Sequence, residues 1–269
     1  MILKSDQDIL LRDFLLNQNI SKKALKRIKM QGDILVNGIH QTVRYQLKVG
    51  DIVELVWPLE QNQLTPYDLP LKIYYEDDYY LIVDKPPGLP SIPTKRYVDK
   101  TLANALTAYY LNNQLKATIH LVNRLDKDTQ GLLLIAKNSY SHYLLSKDIK
   151  QVKRVYHCLV DGKLTGSGTI NQPIIKDRNS VKRLISPNGK QAITHYRTLS
   201  YNEFQSKLEC ILETGRTHQI RVHLASLDHP LTGDDLYGSK QPGPYYLDSI
   251  SLSFIHPYTN QLIEVTKLD

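Results

Sequence analysis

One short polar segment of the chain has the residue types that acid or nucleophilic chemistry requires. Asp126 lies two residues after Arg124 and shortly before an apolar run at 131–136. A polar loop in front of a buried strand is a good platform for a reactive side chain, so we interpret Asp126 as a candidate catalytic carboxylate. The Arg-Leu-Asp tripeptide equally fits a turn-capping aspartate or a surface ion pair with Arg124, and this segment alone does not separate the two alternatives.

A second polar segment, 214–224, contains two arginines and two histidines between an apolar strand and an apolar helix start. Arginines at such a junction suit anion binding, and Arg216 and Arg221 are therefore candidate site residues. His218 and His223 are five residues apart, which places them poorly for a shared metal, and no acidic third ligand is close. We predict local structural roles for both histidines, and neither a metal site nor a cofactor.

The elements that must position these residues alternate irregularly from residue 73 to 269. An acidic turn at 76–78 separates two apolar runs and predicts a hairpin, while no regular strand-helix-strand repeat is present. We therefore predict an α+β domain with a mixed, mainly antiparallel sheet. Helices are predicted at 101–111 and 139–150, and strands at 131–136, 155–160, 192–199 and 207–212.

The first block, residues 1–57, has a different pattern. Leu10, Leu11, Phe14 and Leu15 recur at helical spacing, and Ser21 is a predicted N-cap of a second helix. Asn37-Gly38 predicts a tight hairpin turn. The second helix carries an unbroken set of cations on its polar positions, namely Lys22, Lys23, Lys26, Arg27 and Lys29. This face predicts RNA binding, and the alternative is an ordinary solvated surface.

A polar segment at 58–72 separates the two blocks. It contains Pro58, Pro66 and Pro70 with Gln61, Asn62 and Gln63 between them. Such a stretch buries little surface and is typical of a linker. We predict a small N-terminal domain at 1–57, the linker at 58–72 and a larger domain at 73–269.

Composition limits the class of protein. The net charge of +7 favours a polyanionic partner, because Lys and Arg that neutralise phosphates release counterions. Cys158 and Cys210 match no zinc spacing and are predicted to be reduced structural thiols. No segment resembles a signal peptide or approaches the roughly 18 apolar residues that span a membrane. We expect a cytoplasmic monomer without a membrane partner.

Taken in order, the motifs of the larger domain resemble a known enzyme family. They are Lys85-Pro86-Pro87-Gly88, Arg124-Leu125-Asp126 with Thr129 and Gly131-Leu132-Leu133, Arg154-Val155-Tyr156, Gly189-Lys190 with Ala192 and Thr194, the run from Thr214 to Arg221, and Gly233-Asp234 with Tyr237-Gly238. This order and spacing over residues 71–240 resemble the bacterial ribosomal large-subunit and tRNA pseudouridine synthases. The chain departs from that pattern at Asn123, where the family usually has His, and at Gln130, where it usually has Ser. The first block resembles the small RNA-binding domain of a ribosomal small-subunit protein, the S-four domain.

The resemblance implies the pseudouridine synthase fold and isomerisation of uridine to pseudouridine in ribosomal or transfer RNA. It implies that Asp126 is the catalytic carboxylate and that Tyr156 stacks on the flipped base and helps to remove its proton. The alternative for Tyr156 is a strand tyrosine at the core edge. Arg124 would fill the space that the base leaves or hold nearby phosphates. A buried carboxylate needs a cation to stay ionised, and Arg221 is the expected partner through two parallel hydrogen bonds, with Arg216 as the second choice.

Two other functions fit parts of the sequence. A non-catalytic RNA-binding or ribosome assembly protein could use the same fold, although it would need no combination of Asp126, Tyr156 and Arg221. A basic hydrolase would need a second carboxylate beside Asp126. Asp128 is the near candidate in sequence, and in an extended segment it would lie two positions further along the chain.

Overall fold

The computed structural model describes residues 1–18, 20–58 and 63–267 of the chain. The contacts divide it into two compact units, Met1–Gln61 and Asn62–Asp269. No helix in the described part is long and apolar enough to cross a membrane.

The predicted linker is only partly described. Its positions 59–62, including Gln61 and Asn62, lie outside the described residues. Further along, Tyr67, Leu69 and Leu71 pack against the core of the second unit, and the Tyr67 amide donates to the Asn104 carbonyl (3.1 Å). The segment from 63 onwards is therefore attached to the second unit.

The first unit combines short helices with a small sheet. Its elements are β1 (Ile2–Lys4), β2 (Ile9–Leu10), α1 (Leu11–Asn17), α2 (Lys22–Gln31), β3 (Asp33–Val36), β4 (Ile39–His40), β5 (Gln46–Leu47) and β6 (Ile52–Val56). Strands β1, β6, β3 and β4 form one antiparallel sheet in that order. The predicted α2 cap is confirmed, since the Ser21 hydroxyl accepts from the Ala24 amide (3.1 Å).

Two further details of this unit test the sequence-based expectations. The hairpin turn is confirmed, because Asn37 and Gly38 connect β3 to β4 with positive φ at both residues, as a two-residue type I′ turn requires. Leu10 was expected within the first helix and instead ends β2. It pairs with Gln46 of β5, so its backbone is extended and the helix begins one residue later.

The second unit contains the larger sheet. Its elements are β7 (Lys72–Glu76), β8 (Tyr80–Lys85), α3 (Leu102–Asn112), β9 (His120–Leu121), β10 (Gln130–Ala136), α4 (Ser139–Ser146), β11 (Lys153–Asp161), β12 (Ser167–Asn171), β13 (Ile174–Lys176), β14 (Arg183–Ile185), β15 (Ile193–Tyr201), β16 (Gln205–Leu212), α5 (Gln219–Ala225), β17 (Leu247–Ile255) and β18 (Leu262–Thr266). Ten strands form one sheet, with the main path β12-β15-β16-β11-β17-β10-β8-β7 and with β9 on β10 and β18 on β17. Within the described residues every pairing in it is antiparallel except β10 with β17. The predicted mixed, mainly antiparallel α+β fold is confirmed.

The sheet separates two apolar clusters, which explains the uninterrupted apolar run in β10. Leu133 and Ile135 belong to one cluster, and Leu132 and Leu134 to the other. Successive strand side chains point to opposite faces, so a strand covered on both sides needs apolar residues at every position. Each fully buried leucine contributes about 1.5–3 kcal/mol relative to exposure. This strand is the rigid support for the loop before it.

The helix predicted at 139–150 is shorter than expected. It ends at Ser146 and is followed by a 3₁₀ turn, Ile149–Gln151. The Asp148 carboxylate accepts from the Lys150 amide (3.2 Å), a local bond that competes with continuing the α-helix.

Candidate active site

Asp126 lies on the loop between β9 and β10, and the backbone on either side of it is held by buried donors. The Lys85 ammonium, fully buried, donates to the carbonyls of Pro86 (2.8 Å), Leu89 (2.7 Å) and Lys127 (2.9 Å). The Ser91 hydroxyl donates to the carbonyl of Leu125 (2.6 Å). Burial lowers the pKa of Lys85 to about 8, against the charges of nearby aspartates. These bonds fix the residues before and after Asp126.

A small cavity of about 50 Å³ opens beside the Asp126 carboxylate, which is about one quarter exposed. The five residues of this unit that the sequence predicted as catalytic or substrate-binding all line it, namely Arg124, Asp126, Tyr156, Arg216 and Arg221. Four of the five, all except Arg221, also line an adjoining groove of about 850 Å³. A groove of this size is in the range that binds a ligand.

Arg221 contacts Asp126 less directly than expected. Its Nη1 lies 3.7 Å from Asp126 Oδ2, whereas its planar fork makes two hydrogen bonds with Asp234, Nε to Oδ2 at 2.7 Å and Nη2 to Oδ1 at 2.8 Å. The expectation that the two parallel bonds run to Asp126 is wrong. Arg221 is buried, and a buried guanidinium needs a fully ionised partner that satisfies its donors. Asp234, 1% exposed, supplies that partner.

Two tyrosine rings also hold the Arg221 guanidinium in place beside the cavity. Its guanidinium lies over the rings of Tyr237 (5.0 Å) and Tyr245 (4.7 Å), in cation–π contact. Burial acts to lower the pKa of Arg221, but the hydrogen bonds and charge of Asp234 outweigh it and raise the pKa. The arginine therefore remains a permanent cation next to Asp126.

Arg216 and Arg124 lie at the open side of the cavity. Arg216 is exposed and its Nε donates to the Gln191 carbonyl (3.0 Å), and within the described residues it forms no ion pair with Asp126. Arg124 is exposed and lines the small cavity and the groove. Both side chains can reach a ligand that enters from the groove.

Tyr156 lies on β11 and is 4% exposed. Its ring lines both the small cavity and the groove. Burial raises the pKa of Tyr156, and the charge of Arg154 acts in the opposite direction. The side chain is therefore a protonated phenol at neutral pH, which can stack on a ring and donate a hydrogen bond.

His218 is a cavity residue for which the sequence predicted only a local structural role. Its backbone is in the left-handed region (φ 58°), which few non-glycine residues adopt. Its Nδ1 is 2.9 Å from the Tyr237 hydroxyl, and its Nε2 is 3.9 Å from Asp126 Oδ2. His218 thus lines the cavity as well as bonding to Tyr237, whereas the His223 ring is buried between Thr194 and the Gln172 carbonyl, as a local structural role requires.

The protonation of His218 follows from its neighbours. The Arg183 amide donates to the Tyr237 hydroxyl (2.8 Å), which leaves that hydroxyl free to donate to His218 Nδ1. A neutral ring that accepts this bond at Nδ1 has its proton on Nε2, the nitrogen that lies 3.9 Å from Asp126 Oδ2. Burial lowers the pKa of His218, and Arg221 and Arg183 act in the same direction while Asp126 opposes them. A neutral imidazole at neutral pH is consistent with this arrangement.

Asn123 and Gln130, the two residues that depart from the family pattern, form hydrogen bonds on either side of the loop that carries Asp126. Asn123 Oδ1 accepts from the Leu134 amide (2.8 Å), and Gln130 Nε2 donates to Asp248 Oδ2 (2.8 Å). Asp248 also accepts from Lys267 (2.9 Å). Beside them Gly131 has φ +107°, and a Cβ there would lie 2.3 Å from Asp248 Oδ1. Gln130 thus fixes the start of β10, and Asn123 links the segment before Asp126 to Leu134 further along the same strand.

The remaining predicted substrate-binding residues lie in the first unit. Lys22, Lys23 and Lys26 are exposed on α2 of the first unit, and Arg27 is half-buried there.

Asp128 is half exposed and lines none of the cavities described, so it does not supply the second carboxylate that a hydrolase would need. In the described part of the chain no cluster of His, Cys, Asp or Glu could hold a metal.

Cys158 and Cys210 are both buried and free, as expected. Their sulfurs lie 3.9 Å apart on neighbouring strands, although the residues are distant in sequence.

The comparisons with known proteins agree with one another. Residues 79–226 match the family model for RNA pseudouridylate synthase. The chain is 41% identical over 251 residues to YjbO of Bacillus subtilis, described as an uncharacterized RNA pseudouridine synthase, covering 90% of this chain and 89% of the relative. It is 36% identical over 269 residues to the ribosomal large subunit pseudouridine synthase D of Vibrio cholerae, covering 91% of this chain and 82% of that protein.

Solved structures give the same assignment of fold. Human RNA Pseudouridylate Synthase Domain Containing 1 superposes with a TM-score of 0.61 at 25% identity, over 74% of this chain and 84% of that one. Human RNA Pseudouridylate Synthase Domain Containing 4 has the same fold, with a TM-score of 0.60 at 22% identity, over 73% of this chain and 88% of that one. The chain belongs to the RNA pseudouridine synthase family, whose members are isomerases that act on RNA.

Proposed function

We propose that this protein isomerises specific uridines in large-subunit ribosomal RNA to pseudouridine, with Asp126 as the catalytic carboxylate. The observation that carries the proposal is the meeting of Asp126, the permanent cation Arg221 and the buried ring of Tyr156 around one cavity. The ribosomal substrate is suggested by relatives named as ribosomal large subunit pseudouridine synthase D. Membership of an enzyme family does not favour the non-catalytic alternative.

The reaction balances without a co-reactant. The bond between ribose C1′ and base N1 breaks, the base turns, and C1′ bonds to ring carbon 5. The proton of carbon 5 leaves and N1 takes up a proton, so no electrons are gained or lost. As the first bond lengthens, positive charge develops on the ribose, and an ionised carboxylate stabilises it by charge or by a covalent bond.

The residues around Asp126 suit these steps. Arg221, 3.7 Å from the carboxylate, favours its anionic form in a partly buried site. We propose that His218 Nε2–H, 3.9 Å from the same oxygen, limits the orientation of the carboxylate. We further propose that Tyr156 stacks on the flipped base. Its raised pKa favours the role of hydrogen-bond donor over that of proton acceptor.

The groove explains how a folded RNA would reach the cavity. The reacting bonds are inaccessible in a stacked helix, so the uridine must leave its stack, which costs least in a loop. Arg124 and Arg216 line both the groove and the cavity. We propose that they hold the backbone of the opened strand or fill the space that the base leaves.

We also propose that the first unit binds RNA in the manner of an S-four-like domain. The support is the exposed cationic face of α2, on which Lys22, Lys23 and Lys26 have no acidic residue among them along the helix. Such a face contacts phosphates and adds affinity without taking part in chemistry.

The test of the function is a map of pseudouridine in total RNA from a strain that lacks this protein. We expect at least one uridine of large-subunit ribosomal RNA to stay unmodified, and the wild-type gene but not the Asp126→Asn gene to restore it. A missing site in transfer RNA instead would correct the substrate. An unchanged map in all RNA would refute the proposed activity.

A further inference from the structure

A third cavity, of about 370 Å³, lies between the β13–β14 hairpin, the segment 188–190 and the loop 215–217. Five cations line it and no carboxylate does, the cations being Arg124, Lys176, Arg183, Lys190 and Arg216. We propose that this cavity binds phosphodiester groups of the RNA strand next to the isomerised uridine. The inference rests on the proposed function, because it takes RNA as the substrate.

The backbone builds the cavity. Ile174 and Lys190 exchange two hydrogen bonds of 2.9 Å each, so the segment that carries Lys190 is docked on β13. A Cβ on Gly189 would lie 2.6 Å from the Ile174 carbonyl carbon, so this close approach needs glycine. Lys176 ends the same strand. Main-chain hydrogen bonds therefore fix the backbone that carries Lys176 and Lys190 at one rim of the cavity.

Among the described residues, carboxylates do not neutralise the charges of the cavity. In the described ranges none of the five cations makes an ion pair with a carboxylate, whereas Arg221 pairs with Asp234 and Lys150 with Glu213. The nearest acid in sequence, Asp177, is bonded to Asn179 and Ser180 in the hairpin turn. Like charges around a partly enclosed space repel one another and raise its affinity for an anion.

The position of the cavity defines which anion fits. Arg124 and Arg216 line it and also line the cavity that contains Asp126. An anion between them would therefore be adjacent to the reacting nucleotide. In a continuous RNA strand the groups at that place are the phosphates of neighbouring nucleotides, and backbone phosphates are what Lys and Arg clusters bind.

The first test removes charge at the rim. The variant Lys176→Gln/Lys190→Gln is compared with the control Lys116→Gln/Lys153→Gln, which removes two exposed charges of the same unit outside every cavity described. For the ribosomal RNA stem-loop found by mapping, we expect Kd to rise roughly tenfold at 0.1 M salt in the first pair only. The slope of log Kd against log salt should fall by about 1.4, the value for two single-strand phosphate contacts. The control pair should leave Kd, the salt slope and the single-turnover rate within about twofold of wild type.

The second test removes charge from the RNA. Single neutral methylphosphonate linkages are placed along the stem-loop around the target uridine. Wild-type protein should lose affinity at one or two linkages, and the Lys176→Gln/Lys190→Gln variant should lose nothing further there. Additive losses at every linkage, or an unchanged salt slope in the first test, would overturn the phosphate site while turnover remains intact. Absence of turnover by the wild-type protein on any RNA would overturn the proposed function instead.

Discussion

The cations of α2 and the cation at Asp126 differ in how the protein surrounds them. Lys22, Lys23 and Lys26 are exposed on a helix without acidic residues. Arg221 is 8% exposed, is paired bidentately with Asp234 and lies between two tyrosine rings. An exposed cation costs little to maintain and can exchange its counterions for phosphates. A buried cation must be paired, and its position is then fixed.

The difference predicts a division of function between the two kinds of cation. Exposed, unpaired cations should determine affinity and its salt dependence, whereas the buried pair should determine the rate of the chemical step. The basic cavity beside β13 belongs with the cations that determine affinity, because its five cations also lack ion pairs among the described residues. Variants that change one property without the other test the division directly.

The largest effect is expected for Asp126→Asn. The amide keeps the shape of the side chain but is neither a nucleophile nor an anion, so turnover should fall below about one thousandth of wild type while RNA binding persists. The matched control is Asp128→Asn, two residues along and half exposed outside the cavities, which should retain the wild-type rate. Single-turnover assays and filter binding on the same RNA measure both properties. Substantial turnover by Asp126→Asn would refute the catalytic assignment.

Arg221→Met should affect both stability and rate. The change leaves Asp234 buried without its partner, and breaking such a pair costs about 3–5 kcal/mol of unfolding free energy. The activity should fall roughly a hundredfold, since Asp126 loses its cation. The Kd for RNA should change little, in contrast to the Kd of variants that lack the exposed lysines.

The double variant Arg221→Met/Asp234→Leu separates the two effects. With both charges gone, most of the lost unfolding free energy in urea titrations should return, but the rate should stay low. If the rate returned together with stability, Arg221 would be a structural residue only. If the rate were unchanged in the single variant and only affinity fell, Arg216 would become the better candidate for the partner of Asp126.

The sequence was informative where chemistry and local pattern coincide. The loop with Asp126 before an all-apolar strand could be predicted, because a strand buried on both faces leaves a continuous apolar run. The N-cap Ser21 and the turn at Asn37-Gly38 depend on bonds within a few residues. The mixed antiparallel sheet followed from irregular alternation of the elements.

The contacts that complete the site could not be predicted, because they depend on long-range packing. Asp234 belongs to a motif that the sequence showed. No local pattern, however, indicates that the Arg221 guanidinium makes its two parallel hydrogen bonds to Asp234 rather than to Asp126. The left-handed backbone of His218 has no sequence signature of its own, since histidine adopts it only occasionally. Lys85 likewise became informative only when its three acceptors, which come from two separate segments, were located.

His218→Asn should have an intermediate effect on the rate. Asn tolerates the left-handed backbone, so the fold should persist, but its shorter side chain cannot place a donor at Asp126. We expect about a tenfold lower single-turnover rate, with an RNA affinity near that of wild type. A rate equal to that of wild type would show that the carboxylate is oriented without His218.

The pH dependence of stability provides a second measurement on His218. Burial lowers its pKa in the folded chain, so between the folded value and the ordinary value of about 6.5 the unfolded chain binds more protons. Lowering the pH through this window therefore destabilises the wild type. His218→Asn lacks this contribution and should lose less unfolding free energy between pH 7 and pH 5.5. Identical losses in both proteins would contradict a buried neutral imidazole.

The smallest effect is expected on α2, and it tests the other side of the division. Lys22→Gln/Lys26→Gln removes two exposed charges one helical turn apart, and Lys4→Gln/Arg44→Gln removes two exposed charges elsewhere in the same unit. Removing one protein–phosphate interaction should lower the salt slope by about 0.7–0.9, so the α2 pair should lower it by roughly 1.5 and raise Kd several-fold. The single-turnover rate at saturating RNA should not change, because these lysines bind phosphates without contributing to the reaction at Asp126. If the two pairs have equal effects, binding follows the total charge and α2 is not a specific face. If the α2 pair lowers the rate at saturation, the helix acts on the chemical step and the division between exposed and buried cations fails.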